Sequence, residues 1–297
     1  MGILLETNKL TKHYGKLTAV NQLDLKIEEG QVFGMLGPNG SGKTTTLGMV
    51  LGVTERSSGD FTWFGGENGP ETRKTIGAIL ERPIFFPGYS AVENLKIVAK
   101  IKGINTTNME HVLRMVQLYE RRNDRFGAYS LGMKQRLAIA AAMLCDPKAL
   151  ILDEPTNGLD PEGIAQIREI IVNIAGMGKS IILASHLLDD VQKVCSSCII
   201  LRKGELVFQG AVSADMGTSK RVEVDAPEQD LLREALKNTP FVLDVEVSKQ
   251  GFLVSLEAGQ DAFTLNKYLQ DQGMVLSHLQ TLKKSLEEQF LEIVNKS

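Results

Sequence analysis

The segment Gly37-Pro38-Asn39-Gly40-Ser41-Gly42-Lys43-Thr44 sets a lysine and a hydroxyl directly behind a glycine-rich turn, with a second hydroxyl at Thr45. It meets the pattern G-x-x-x-x-G-K-[ST] at every fixed position. The glycines let backbone N–H groups close around a phosphate, and a helix starting there adds partial positive charge. Lys43 can then reach β- and γ-phosphates, and Thr44 offers a hydroxyl to Mg²⁺. An accidental match is expected on the order of once in a hundred chains of this length. Far downstream, the apolar run Ala149-Leu150-Ile151-Leu152 ends in Asp153-Glu154. Beside a phosphate loop, such a pair supplies the complementary chemistry. Asp153 can hold the hydration shell of Mg²⁺, and Glu154 can polarise an attacking water.

These residues need a rigid frame. Gln31 to Leu36 reads as a short buried strand feeding the loop, and Thr44 to Leu51 as the first turns of a helix. Further strands are expected at Leu23 to Ile27, Asp60 to Phe64, Thr75 to Leu80, Ala149 to Leu152, Ser180 to Ala184 and Cys198 to Arg202. The turn Arg202-Lys203-Gly204-Glu205 leads into one more, Leu206 to Gln209. Several of these are continuous apolar runs, as in a parallel sheet covered on both faces. Antiparallel strands near both ends make the sheet mixed. Between about 88 and 136 the pattern is helical. Ala91 to Lys102 and Met109 to Glu120 have helical periodicity, and a third helix starts near Leu131. The expected fold is therefore α/β with a helical insertion.

Past Val212 the style changes. Arg221 to Val224, Val242 to Val247 and Phe252 to Leu256 alternate apolar and polar residues, as half-buried strands do. Asp230 to Leu236, Phe263 to Gln270 and Lys284 to Val294 read as amphipathic helices. The expected division is residues 1–212, with the helical insertion at about 88–136, and a small α+β domain at residues 213–297.

Composition narrows the function. With 297 residues, 43% hydrophobic and 23% charged, the chain has an ordinary globular balance. A formal net charge of -3 and the lack of a basic stripe point away from a nucleic-acid partner. Three cysteines do not make a secreted disulfide framework. Cys195 and Cys198 form a C-x-x-C, but after a helix rather than at its N-terminus, so they read as two part-buried cysteines in a cytoplasmic setting. The longest apolar stretch, Leu137 to Cys145, is about half a membrane span. The apolar run at Met1 to Glu6 is too short for a signal peptide.

Taken with four further segments, the two motifs resemble the ATP-binding cassette ATPases, the motor subunits of ABC transporters. Tyr129-Ser130-Leu131-Gly132-Met133-Lys134-Gln135-Arg136 is similar to the family's signature segment, and Asn157-Gly158-Leu159-Asp160 to its D-loop. Ser185-His186 stands where the family has its switch histidine, and Tyr14 where an aromatic ring meets adenine. The likeness covers about the first two thirds of the chain. It implies a P-loop NTPase cassette using ATP and Mg²⁺. In it Tyr14 stacks on adenine, and His186, with Lys43 and Glu154, acts at the γ-phosphate. Ser130 and Gly132 meet ATP held by a second copy of the cassette, and Asp160 links the two sites of that homodimer. The family's Mg²⁺-contacting glutamine is replaced here by Glu81, and a signature glycine by Leu131.

The resemblance further implies a separate integral permease, docked through the helical insertion and the segment from Glu81 to Asn94, with the chain peripheral on the inner face of the cell membrane. Phe85-Phe86-Pro87, Ala91-Val92-Glu93-Asn94-Leu95 and the tail Ser285 to Leu291 are similar to the bacitracin- and lantibiotic-resistance exporter branch. Two non-transport alternatives remain, a cassette acting in translation or one acting in DNA repair. The first usually has two cassettes and basic RNA-binding segments, and the second a long coiled coil.

Overall fold

The computed structural model describes residues 2–66, 69–80, 84–212, 221–248, 250–257 and 259–282. Glu81 and the tail helix expected at Lys284 to Val294 lie outside the described residues. The chain divides into two compact units, Met1–Val212 and Ser213–Ser297.

The first unit opens with three strands, β1 (Ile3–Tyr14), β2 (Leu17–Glu28) and β3 (Val32–Leu36), before helix α1 (Lys43–Val50). Then come β4 (Ser58–Trp63), α2 (Pro70–Lys74), β5 (Ile76–Ile79), and the helices α3 (Ala91–Lys102), α4 (Met109–Met115) and α5 (Leu131–Met143). The unit continues with β6 (Ala149–Asp153), α6 (Pro161–Gly176), β7 (Ser180–Ser185), α7 (Leu188–Val194), β8 (Ser197–Arg202) and β9 (Glu205–Ala211). An antiparallel sheet has the order β2-β1-β4, and a larger one β5-β6-β7-β3-β8-β9. In the larger sheet β5 to β8 run parallel and β9 turns back along β8.

The reason for this arrangement is visible in the strands themselves. Every residue of β3, β6 and β7 is buried, which a strand tolerates only when both its faces are covered. One apolar cluster joins the two sheets through α1. It takes Leu4, Leu5 and Trp63 from the antiparallel sheet, Leu47 and Met49 from α1, and Ile151 and Ile182 from the parallel one. The Trp63 indole N–H donates to the Val50 carbonyl at 2.8 Å, so the ring is buried without an orphaned donor.

β7 lies between β3 and β6. The register sets Leu36 level with Ser185, and Ala184 level with Asp153. Neighbouring strands are about 4.8 Å apart. The three strands therefore end side by side, and the segments leaving them start as neighbours. The carboxyl ends of parallel strands are where α/β sheets hold ligands.

The insertion is helical as expected. Helix α3 starts with a reciprocal capping box, in which Ser90 Oγ accepts from Glu93 N–H and the Glu93 carboxylate accepts from Ser90 N–H. Buried Asn94 accepts from the Phe86 N–H at 2.8 Å and donates to the Phe86 and Ser90 carbonyls, fixing the loop in front of the helix. Helix α4 ends at Met115, short of the expected Glu120. Gln117 has a φ of 57°, which ends a helix, and Tyr119–Arg121 form a separate 3₁₀ turn.

In the second unit, β10 (Arg221–Asp225), β11 (Val242–Ser248), β12 (Gly251–Leu256) and β13 (His278–Leu282) form an antiparallel sheet of order β11-β12-β10-β13. Helices α8 (Gln229–Lys237) and α9 (Ala262–Asp271) complete it. Its core joins Val222, Val224, Phe252, Val254 and Leu256 to Leu232, Leu236, Leu265 and Leu269 of the helices.

Candidate active site

The phosphate loop leaves β3 and ends at Gly42, the N-cap of α1, whose φ is 106°. No side chain is comfortable there, and a Cβ would stand 2.6 Å from the Ala19 carbonyl. Gly37 is equally confined, because a Cβ would meet the Leu201 carbonyl at 2.3 Å. The turn between β8 and β9 backs the loop. Gly204 N–H donates to the Ser41 carbonyl at 3.0 Å, and Asn21 N–H donates to the Gly204 carbonyl at 2.8 Å. The sequence shows this turn but not its contact with the loop.

Lys43 is 5% exposed. Its ammonium donates to the Gly37 carbonyl at 2.7 Å and the Pro38 carbonyl at 3.3 Å, and pairs with Glu154 Oε1 at 3.2 Å. Ser41 is also buried, and its Oγ has no hydrogen-bond partner. A buried hydroxyl and a buried cation in a loop that rejects Cβ atoms fit a phosphate group.

β6 delivers the two carboxylates to different places. Asp153, the last residue of the strand, accepts from the Thr44 hydroxyl at 2.7 Å. The two side chains put hard oxygen donors side by side, the donor set a Mg²⁺ ion takes. Among the described residues no cluster of three or more His, Cys, Asp or Glu side chains could hold a metal ion, so this pair lacks a protein cage. Mg²⁺ usually has none, and completes its shell with water and phosphate. Glu154 sits just past the strand with a φ of 49°, while its N–H donates to the Ala184 carbonyl at 2.9 Å. A non-glycine residue in that region is strained, and strain of this kind clusters at working sites.

His186 follows β7. Its Nδ1 is 2.7 Å from Glu154 Oε2, which also accepts from the His186 N–H at 3.3 Å. Lys43, Glu154 and His186 thus form one chain of contacts across three adjacent strand ends. Such a chain can bind a terminal phosphate at one end and orient a water at the other.

Behind His186 lies a polar knot that the sequence reading does not contain. Asp190, on α7, is 1% exposed. Its carboxylate accepts from the Thr156 hydroxyl, from Ser185 Oγ at 3.3 Å and from Arg168 Nε at 2.8 Å. The one sequence signal was the acidic pair Asp189-Asp190, four residues beyond the histidine. Nothing local links it to Thr156 or Arg168.

Tyr14 ends β1, half exposed, with the Lys12 ammonium 4.9 Å from its ring centroid. Ser130 caps α5, accepting from Met133 N–H at 3.3 Å, and Asp160 caps α6, accepting from Gly163 N–H at 2.9 Å. Ser130, Gly132, Gly158, Leu159 and Asp160 line a common pocket of about 460 Å³ that no residue of the phosphate loop lines. Leu131 is 47% exposed there, and a Cβ on Gly158 would meet its Cδ2 at 3.4 Å. Tyr14 belongs to neither the Lys43–Glu154–His186 chain nor this pocket, and the other described site residues fall into two groups within one chain.

Burial pushes the thiols of Cys195 and Cys198 well up, Cys198 to about 11. Neither is a nucleophile near neutral pH.

The ABC transporter family model matches residues 20–157. The bacitracin transport ATP-binding protein BcrA of Bacillus licheniformis is 35% identical over 301 residues, covering 99% of this chain and 98% of that protein. The lantibiotic transport ATP-binding protein SrtF of Streptococcus pyogenes is 36% identical over 206 residues, 69% of this chain and 90% of its own length. Among solved structures, an ATP binding subunit of an ABC transporter aligns over 70% of this chain and 90% of its own, at 30% identity and a TM-score of 0.62.

Proposed function

This chain belongs to the ABC transporter family as an ATP-binding subunit, and on that premise we propose that its three strand ends hydrolyse ATP to drive a separate membrane permease. The observation that carries the proposal is the contact chain from Lys43 through Glu154 to His186, with Thr44 and Asp153 beside it. In this reading the phosphate loop, from Gly37 to Thr45, holds the phosphates of ATP. Lys43 exchanges Glu154 for the γ-phosphate, and Tyr14 stacks on the adenine. Glu154 then accepts a proton from the attacking water, and His186 keeps that carboxylate and the water in place. Thr44 and Asp153 would hold Mg²⁺, the role that the sequence resemblance also gives to Glu81. Bound there, Mg²⁺ neutralises charge on the β- and γ-phosphates.

Ser130, Gly132 and Asp160 are distinct from this group, and complete the site of a second copy. The helix N-terminus behind Ser130 suits a phosphate. ATP is then part of what joins two copies, and its hydrolysis separates them. No helix among the described residues is long and apolar enough to cross a membrane, so transport needs a partner that does. The permease-docking surface is the loop in front of α3, where Ile84 is 94%, Phe86 56% and Tyr89 48% exposed. In this reading the chain sits at the inner face of the membrane. The relatives' names, bacitracin transport and lantibiotic transport, favour peptide antibiotics as the cargo class, and export is the direction of this reading.

The test is co-purification of the full-length chain with the permease, followed by ATPase assays in lipid with bacitracin and a lantibiotic as probes. Turnover that rises with one of these probes supports the whole proposal. Turnover unmoved by both overturns the cargo class. A complex that binds ATP without hydrolysing it overturns the catalytic reading.

A further inference from the structure

We propose that Asp190 is a positioning residue for hydrolysis, holding Glu154 and His186 at their working separation through Thr156 and Ser185. The inference rests on the hydrolytic roles proposed for Glu154 and His186. One oxygen, Asp190 Oδ2, accepts from both the Thr156 and the Ser185 hydroxyl. Thr156 lies two residues after Glu154, and Ser185 lies directly before His186. The two backbone segments that carry the reacting side chains are thereby tied to a single atom.

The tie has direction. Ser185 Oγ donates to Asp190 and accepts from Leu187 N–H at 3.0 Å, a hydroxyl turn wrapped around His186. Thr156 also lies four residues ahead of Asp160, which caps α6 from the pocket that lacks phosphate-loop residues. Arg168 anchors Asp190 from α6 itself, with Asp189 Oδ2 2.7 Å from the same guanidinium. A shift of the Asp160 segment on meeting a second copy would therefore reach the Glu154–His186 contact through Asp190. The ordinary alternative is a buried ion pair that only fastens α6 to α7.

The test separates the two. In the full-length chain, Thr156→Val removes one hydroxyl and keeps the shape and the Arg168–Asp190 pair, while Thr156→Ser restores the hydroxyl. Asp190→Asn removes the charge. Thr156→Val and Asp190→Asn are expected to lower kcat about tenfold or more with KM for ATP within about twofold, and Thr156→Ser to recover most of the loss. With His186→Ala already present, Thr156→Val should cost nothing further, because the groups act as one unit. Normal kcat in folded Thr156→Val overturns the inference, as does an equal fractional loss in the His186→Ala background. Glu154→Gln is assayed alongside. If it still hydrolyses ATP at the normal rate, the hydrolytic reading itself has failed, whereas an inactive Glu154→Gln beside a normal Thr156→Val removes only the role of Asp190.

Discussion

Replacing Glu154 by glutamine changes one charge and almost no volume, and its two consequences differ in size. The first is structural. Glu154, 18% exposed, pairs with Lys43 at 3.2 Å and with His186 at 2.7 Å. Deleting one partner of a fully buried ion pair costs about 3–5 kcal/mol. Here Lys43 retains the carbonyls of Gly37 and Pro38, and the glutamine amide retains an oxygen acceptor. A loss of about 1–2 kcal/mol is therefore expected. For a unit of this size that lowers Tm by about 2–8 °C. The second consequence is kinetic. Removing a general base lowers turnover about 10²- to 10⁴-fold, or about 2.7–5.5 kcal/mol of barrier. ATP affinity should be kept or improved, because the carboxylate that competes with phosphate for Lys43 has gone. Phosphate release under saturating Mg²⁺-ATP measures the rate, and a fluorescent ATP analogue measures the affinity. Turnover within tenfold of the unaltered chain would refute the assignment of Glu154. So would a loss of ATP affinity equal to the loss of rate, since that would make Glu154 a binding residue.

Three further outcomes follow from single contacts. Lys43→Ala removes a buried cation that faces the loop carbonyls, and should weaken ATP binding by about 30-fold or more, read by calorimetry. Gly42→Ala puts a Cβ 2.6 Å from a backbone oxygen at a φ of 106°, so the chain should lose about 1–3 kcal/mol or more of stability and no longer rise in Tm on adding ATP. The thiols of Cys195 and Cys198 are raised by burial, so iodoacetamide at pH 8 should spare both in the native chain and modify them once urea is added. Their neutral burial stabilises the fold fully below the ordinary value of 9.0, and that contribution is lost as pH rises towards about 11, which a urea titration at several pH values will show.

What was legible in the sequence was whatever is local. β3, β6 and β7 are continuous apolar runs, and each is buried along its whole length. The expected site residues at and just past those strand ends touch one another. β1 escaped the reading for an equally physical reason. Its residues are polar on alternate and irregular positions, its pairing with β2 shifts register repeatedly, and Lys9 within it has a φ of 46°. A bulged strand has no clean period of two. β13 is a short edge strand with its middle exposed, which leaves little apolar signal. The strand order β5-β6-β7-β3-β8-β9 and the Asp190 knot were beyond reach because both join residues remote in sequence. Ser130, Leu131 and Gly132 were legible as a segment, whereas their shared pocket with Gly158 and Asp160 needed the fold.

The position of β7 has a consequence for the chain as it is made. β3 hydrogen-bonds to β7 and β8, and β6 to β5 and β7, so the loop strand and the carboxylate strand are not neighbours in the sheet. A ribosome that has released the chain only as far as Lys179 has delivered Lys43, Asp153 and Glu154 without the strand that aligns them. Nucleotide can then reward folding only after Ser180 to Ser185 has been inserted between two strands already present. Until that insertion, the apolar edges of β3 and β6 are unpaired and open to other chains. The vulnerable interval in this protein's synthesis is set by the arrival of its central strand.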